Sequence, residues 1–203
     1  MSSIPHYYNA RKAKKFGPGT LEDGMQKDGL IDAYSKLAMG VHADACAVEY
    51  GFTREDQDAF AIESYKRATE AWNLGKFDRE IIPVEVPQRR GASVIVSKDE
   101  EYTNVKLEKI PSLRAAFTKD GTVTAANAST INDGAAAVVM MSLERANTLG
   151  LKPLATIVSY ADAAREPEWF TVAPAKALPK ALKKANIQIE DVDYFEFNEA
   201  FSL

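Results

Sequence analysis

The stretch Gly121-Thr122-Val123-Thr124-Ala125-Ala126-Asn127-Ala128-Ser129-Thr130-Ile131-Asn132-Asp133-Gly134-Ala135-Ala136-Ala137-Val138-Val139-Met140-Met141 decides how the rest of the chain is read. It passes from a turn into small, hydrogen-bonding residues, through an Asn-Asp-Gly turn, and into an unbroken apolar run of strand length. Small side chains let a ligand approach the backbone, and Asn127 and Ser129 offer polar contacts of the kind that loops carry for function. The same composition suits a tight loop in front of a core strand. The residue types alone leave a ligand-bearing loop and a structural one as equal alternatives.

Around this stretch lie 203 residues, enough for one or two domains and a substantial core, so size demands neither disulfides nor a structural metal. Apolar residues at 46% and charged residues at 27% exclude a disordered chain, and a net charge of -4 gives no electrostatic case for nucleic acid. The basic runs Arg11-Lys12-Ala13-Lys14-Lys15 and Gln88-Arg89-Arg90 read as solvated surface that an anionic ligand could use. Cys46 is the single cysteine, which excludes an intrachain disulfide framework and a cysteine-rich metal site and suits a reducing compartment. His6 and His42 are far apart and form no metal-ligand pattern. The longest apolar run, Ala135 to Met141, falls short of the roughly 20 residues of a membrane-spanning helix, so no membrane partner is expected. Met1-Ser2-Ser3-Ile4-Pro5 lacks the ordered charged and apolar regions of a secretory signal.

Taken in order, Gly17-Pro18-Gly19 marks the first 29 residues as loop. The spacing of Met39, Ala43, Cys46, Ala47 and Tyr50 predicts a helix over 37–50, closed by Gly51, with Cys46 a packed core thiol and His42 off the stripe, facing surface or loop. A second helix opens at Thr53 and runs to Gly75, with Phe60, Ala61, Ser64, Tyr65, Ala68, Ala71 and Trp72 on one face. Short β-branched runs at 81–86 and 93–96 predict a hairpin, and Leu107 to Phe117 a short apolar face interrupted by Pro111. Strands are expected over 135–141, 154–160 and 192–197, with helices over 142–150 and 174–185. That order points to a layered α/β unit with a buried sheet. The last strand delivers Asn198-Glu199-Ala200-Phe201, an acidic turn that means little in isolation.

Together, Asn127-Ala128-Ser129-Thr130-Ile131-Asn132-Asp133-Gly134-Ala135-Ala136 and Asn198-Glu199-Ala200-Phe201 resemble the N-A-S-x-x-N-D-G-A-A loop and the N-E-A-F signature of the thiolases, specifically the acetyl-CoA acetyltransferases. The helix from Arg54 to Tyr65, Met39-Gly40, Gly75-Lys76-Phe77 and Pro83 extend the resemblance along the chain. It implies a thiolase-like layered α/β fold: residues 1–129 a coenzyme-covering loop domain, 130–150 the end of the N-terminal core half, 151–203 the start of the C-terminal half.

The chemistry implied is acyl transfer between coenzyme A thioesters, two acetyl-CoA condensing to acetoacetyl-CoA and coenzyme A or the reverse, with no covalent cofactor. Asn198 would hold an oxyanion-hole water. Leu30, Met39, Leu113, Phe117, Ala125, Ser129, Ile131, Ala200 and Phe201 would line the coenzyme, and Tyr65 with the carbonyls of Ala125, Ala126 and Ala128 would hold a potassium ion. A dimeric or tetrameric homo-oligomer in the cytoplasm or mitochondrion, serving lipid metabolism, is the corresponding setting.

Three departures follow from the same resemblance. The family's catalytic cysteines and histidine belong to regions flanking this one, so the chain as given is expected to be inactive alone. Ala38 stands where many members carry a histidine, and Asn104 where relatives often place an arginine for the coenzyme phosphate, with Lys106 and Lys109 the nearby bases. A module that binds acyl-CoA without turnover, or one that builds oligomers, is the alternative.

Overall fold

The computed structural model describes residues 2–12 and 15–203; Met1 of the opening segment and Ala13-Lys14 of the basic run lie outside the described residues. Two compact units result, one of Met1–His42 with Ile131–Asn198, the other of Ala43–Thr130 with Glu199–Leu203.

The chain opens with β1, His6–Tyr7, paired antiparallel to β2, Glu22–Asp23. A π-helical turn, Gln26–Leu30, follows. Asp32 N donates to the Leu37 carbonyl at 2.9 Å, closing a tight turn flanked by the Ile31–Ala38 bridge. This turn folds Ser35 onto His42, whose Nε2 lies 3.0 Å from the Ser35 hydroxyl. His42 is therefore buried, at 5% exposure, and not the surface or loop-facing residue its place off the apolar stripe suggested. Ser35 and Asp32 both lie toward the same ring nitrogen, at 3.0 and 4.0 Å, so the trio lacks the arrangement of a nucleophile, base and orienting acid.

Helix α1, Met39–Tyr50, buries Ala43, Cys46 and Ala47 as its stripe predicts. Gly51 takes φ 71°, and Phe52 N reaches the Ala47 carbonyl at 2.9 Å, the left-handed ending for which glycine is suited. Helix α2, Arg54–Asn73, begins at Thr53 with a reciprocal cap: Asp56 N donates to Thr53 Oγ1 at 3.1 Å and Thr53 N to Asp56 Oδ2 at 3.0 Å. Its innermost residues are Gln57, Asp58 and Ala61, and Phe60, expected on the buried face, is 48% exposed. Two buried polar side chains rotate the inner face away from the aromatic. Trp72 stacks on Tyr102 at 6.0 Å and meets Phe77 at 5.0 Å, tying the end of α2 to the segment beyond the hairpin.

The hairpin is β3, Val84–Val86, and β4, Val94–Val96, in antiparallel register with Val84 opposite Val96. Helix α3, Glu101–Asn104, and a 3-10 turn, Leu107–Ser112, place Ile110 in the core despite Pro111. Helix α4, Leu143–Thr148, is capped by the Ser142 hydroxyl, which accepts from Arg145 N at 3.1 Å. Helix α5, Ala173–Ala185, carries Pro174 in its first turn and ends at Asn186, φ 56°.

Segments 135–141, 154–160 and 192–197 form no ladder, contrary to the expected strands. Their apolar residues face outward, Val139 at 89% and Leu154 fully exposed. An apolar run specifies one strand, but a strand exists only against a neighbour, and the described residues supply none to these three.

The cap of α2 gives a pH-dependent signature. Hydrogen bonds from the Thr53 hydroxyl and amide hold the Asp56 carboxyl below the usual carboxylate range. A depressed carboxyl stabilises the fold above its unfolded pKa, and that contribution disappears as pH falls through the folded value. Asp56→Asn should therefore melt below wild type at pH 7, with the two melting curves, followed by circular dichroism, converging at acid pH. A gap independent of pH would assign the effect to packing.

Candidate functional site

Residues 121–129 belong to no helix or sheet ladder beyond one bridge, so their backbone groups must find partners one at a time. Two carboxylates buried on helices supply much of the need. Asp44 of α1 accepts from Thr122 N and Val123 N, each at 2.9 Å, and from Thr118 Oγ1 at 2.7 Å. Asp58 of α2 accepts from Asn127 Nδ2 at 3.0 Å, and Arg54 Nε meets its other oxygen at 2.7 Å. Asn127 also accepts from Thr124 N at 2.7 Å and donates to the Thr122 carbonyl at 3.0 Å.

Asn127 is thus a frame residue, 2% exposed, with both ends of its amide engaged within the protein. The polar contact to a ligand that the sequence suggested for it is corrected by this geometry. Ser129, exposed, keeps its hydroxyl free of protein partners among the described residues. Of the loop's carbonyls, those of Thr122 and Thr124 accept from within the loop and those of Val123 and Asn127 from Ala116 and Ser202. Those of Ala125, Ala126 and Ala128 accept from no donor among the described residues.

The chain's end docks on this loop. Ser129 N donates to the Ala200 carbonyl and Ser202 N to the Asn127 carbonyl, both at 2.9 Å, around an antiparallel bridge between Ala128 and Phe201. The Phe201 ring meets Phe117 edge-on at 6.4 Å. Ala116 N reaches the Val123 carbonyl at 2.8 Å, and Ser64 Oγ donates to Glu199 at 2.6 Å. Three segments remote in sequence, at 113–117, 125–129 and 199–202, therefore converge.

Tyr65, one residue beyond Ser64 on α2, is half-buried and its hydroxyl has no protein partner among the described residues. Burial, aided by the Glu101 charge, pushes its phenol pKa up, so the ring oxygen stays neutral at ordinary pH. A neutral phenol and an unpaired carbonyl are both hard oxygen donors.

Leu30, Met39, Ile131 and Asn198 belong to the other unit. Leu30 ends the π-helical turn, Met39 opens α1, and Ile131 and Asn198 are exposed. The Asn198 amide engages no group among the described residues. Cys46 is wholly buried, with no solvent path for a nucleophile. Among the described residues no group of His, Cys, Asp and Glu is arranged for a metal, and no helix is long and apolar enough to cross a membrane. Asn104, Lys106 and Lys109 are all exposed.

Sequence reasoning missed Asp44, Arg54 and Asp58 as the frame of the loop. Arg54 and Asp58 do carry a signal, opposite charges at i, i+4. Asp44 carries a subtler one, a carboxylate directly beside the inward-facing Ala43.

Two family models match the chain, the N-terminal domain of thiolase over residues 1–144 and the C-terminal domain over 151–203. An acetyl-CoA acetyltransferase of Schizosaccharomyces pombe is 52% identical over 205 residues, covering 100% of this chain and 52% of its own length. A cytosolic one from Gibberella zeae is 51% identical over 100% of this chain and 51% of its own, and a mitochondrial one from Danio rerio 50% over 100% and 48%. The chain spans about half the length of the curated relatives it matches. A thiolase from Ascaris suum, solved with coenzyme A, superposes with TM-score 0.91 at 46% identity over 99% of this chain and 51% of its own. The acetyl-CoA acetyltransferase of Bacillus anthracis gives 0.93 at 38% identity over the same shares, 99% and 51%. These superpositions bear out the layered α/β fold expected from the sequence.

Gly121 tests the frame. A Cβ there would lie 2.3 Å from Asp44 Oδ2 and 2.4 Å from Thr118 Oγ1, the two groups that anchor the loop's entry. Gly121→Ala should destabilise by about 1–3 kcal/mol, as overpacking of an immobile site does, read by urea denaturation. An unchanged midpoint would mean that Asp44 can move aside.

Proposed function

The chain belongs to the thiolase family, and from that premise we propose that it carries the coenzyme-holding part of an acetyl-CoA C-acetyltransferase, an enzyme that condenses two acetyl-CoA to acetoacetyl-CoA and coenzyme A, or reverses that reaction. The observation that carries this reading is the convergence of Phe117, the Ala128–Phe201 bridge and the free Ser129 hydroxyl. Small residues on the loop admit a slender chain, the two rings give it apolar walls, and Ser129 offers a hydrogen bond for an amide of the pantetheine arm. Leu30, Met39, Leu113, Ala125, Ile131 and Ala200 complete the proposed coenzyme set. In this reading residues 1–129 form the coenzyme-covering domain, 130–150 close the N-terminal core half and 151–203 open the C-terminal one.

The chemistry needs a cysteine that accepts the acetyl group, a base that activates it, and donors for the enolate oxygen of the second acetyl-CoA. Asn198 is assigned to the last task, holding a water whose proton faces the developing charge; its exposed, unpartnered amide supports that role. Cys46 cannot serve as the first, since it is buried within α1. The complete enzyme would be a dimer or tetramer, in the cytosol or the mitochondrion, compartments named for relatives on either side.

A second reading, which the buried Cys46 fits equally, is a module that binds acyl-CoA without turning it over. Both readings predict saturable binding of coenzyme A to the 203-residue chain by isothermal titration and no thiolysis of acetoacetyl-CoA above background. No binding would sink both, and turnover abolished by Cys46→Ala would overturn the assignment of that thiol to the core.

Potassium is the second proposal. Tyr65 with the carbonyls of Ala125, Ala126 and Ala128 would hold the ion, which would supply charge that fixes the loop beside the coenzyme. Coenzyme A should then bind more tightly in potassium than in sodium chloride at equal ionic strength, and Tyr65→Phe should erase the difference. Equal dissociation constants in the two salts count against the site.

A further inference from the structure

Arg54 and Asp58 stand one turn apart on α2, and their ion pair is not a surface pair: the side chains are 20% and 7% exposed. Each partner has hydrogen-bonding capacity left over, and each directs it to a different loop. The Arg54 guanidinium meets Asp58 through Nε at 2.7 Å, while its Nη2 donates to the carbonyls of Ile110 and Leu113, both at 3.0 Å. The other oxygen of Asp58 accepts from Asn127 Nδ2 at 3.0 Å. One rigid fork on a helix therefore joins the carbonyl of Leu113 to the residue that organises the loop from Thr124 to Ala128. The other ties between the two strips act elsewhere: Ala116 N bonds the Val123 carbonyl, and Asp44 bridges Thr118 to Thr122. The end at Leu113 and Asn127 is left to the Arg54–Asp58 pair.

We propose that Arg54 and Asp58 are positioning residues, which set the separation of the Leu113–Phe117 strip from the Ala125–Ser129 loop and so the geometry both offer to a coenzyme A thioester. This rests on the reading of those two strips given above. Neither residue touches the ligand. Arg54 holds one strip through its main chain, Asp58 holds the other through Asn127, and the charge between them couples the two.

The test compares Arg54→Lys, Asp58→Asn and, as a control in the packed core, Cys46→Ala, in the 203-residue chain. Lysine keeps the charge opposite Asp58 but cannot also reach two carbonyls. Arg54→Lys and Asp58→Asn should each weaken coenzyme A binding by about tenfold or more in calorimetric titration, with Cys46→Ala, which loses core packing, within about twofold of wild type. Amide hydrogen exchange should quicken in both strips, 110–117 and 122–128, in either relay variant. Affinities within about twofold of wild type for both relay variants overturn the proposal, as does an equal loss of affinity in Cys46→Ala. Exchange that quickens in one strip alone overturns the coupling whatever the chain binds. A wild-type chain that does not bind coenzyme A overturns the reading of the site itself.

Discussion

Two carboxylates buried on helices, Asp44 and Asp58, carry the structure of the loop from Gly121 to Ser129. A loop without a ladder has amides and carbonyls that burial would leave unpaired, each at a cost of about 1–3 kcal/mol. Carboxylates answer this economically, because each presents two acceptor oxygens and makes stronger bonds when ionised. Asp44 meets two amides and a hydroxyl, and Asp58 an amide nitrogen and a guanidinium. The charge on Asp58 is itself matched by Arg54, and removing one partner of such a buried pair costs about 3–5 kcal/mol. The loop is thereby tied to the two most regular elements of its unit.

What remains unpaired after this is informative. The carbonyls that accept hydrogen bonds belong to Thr122, Val123, Thr124 and Asn127, and those left over among the described residues include three alanines with little side-chain bulk. Ser129, the one exposed hydroxyl at the loop's exit, sits where Ala200 fixes its backbone. The frame and the unpaired groups are thus different atoms of the same nine residues, with Ala125 and Ser129 exposed among the latter.

Much of this was legible in the sequence, and the limits have physical causes. Helices α1, α2, α4 and α5 were readable because their stripes, caps and left-handed endings are local signals. Cys46 in the core followed from the same periodicity. The expected strands over 135–141, 154–160 and 192–197 failed as described elements because an apolar run records what a segment would bury, whereas a ladder depends on a partner elsewhere. His42 and Asn127 were misjudged for a related reason. Their burial comes from a turn and from a helix far away in sequence, and periodicity along one element cannot register either.

The alignment of Arg54 with Asp58 illustrates how a helical pair can carry more than helix stability. At a surface, opposite charges at i, i+4 contribute about 0.3–0.5 kcal/mol and could be exchanged freely. Here the pair is enclosed, and the bonds it makes outward, to Leu113 on one side and Asn127 on the other, tie it to a particular pair of loops. A lysine would satisfy the helix and fail the loops, since its donors radiate from one nitrogen, whereas Arg54 meets Asp58 through Nε and the two carbonyls through Nη2. The choice of arginine at position 54 is therefore explained by the distance it spans outside α2 and not by the helix that bears it.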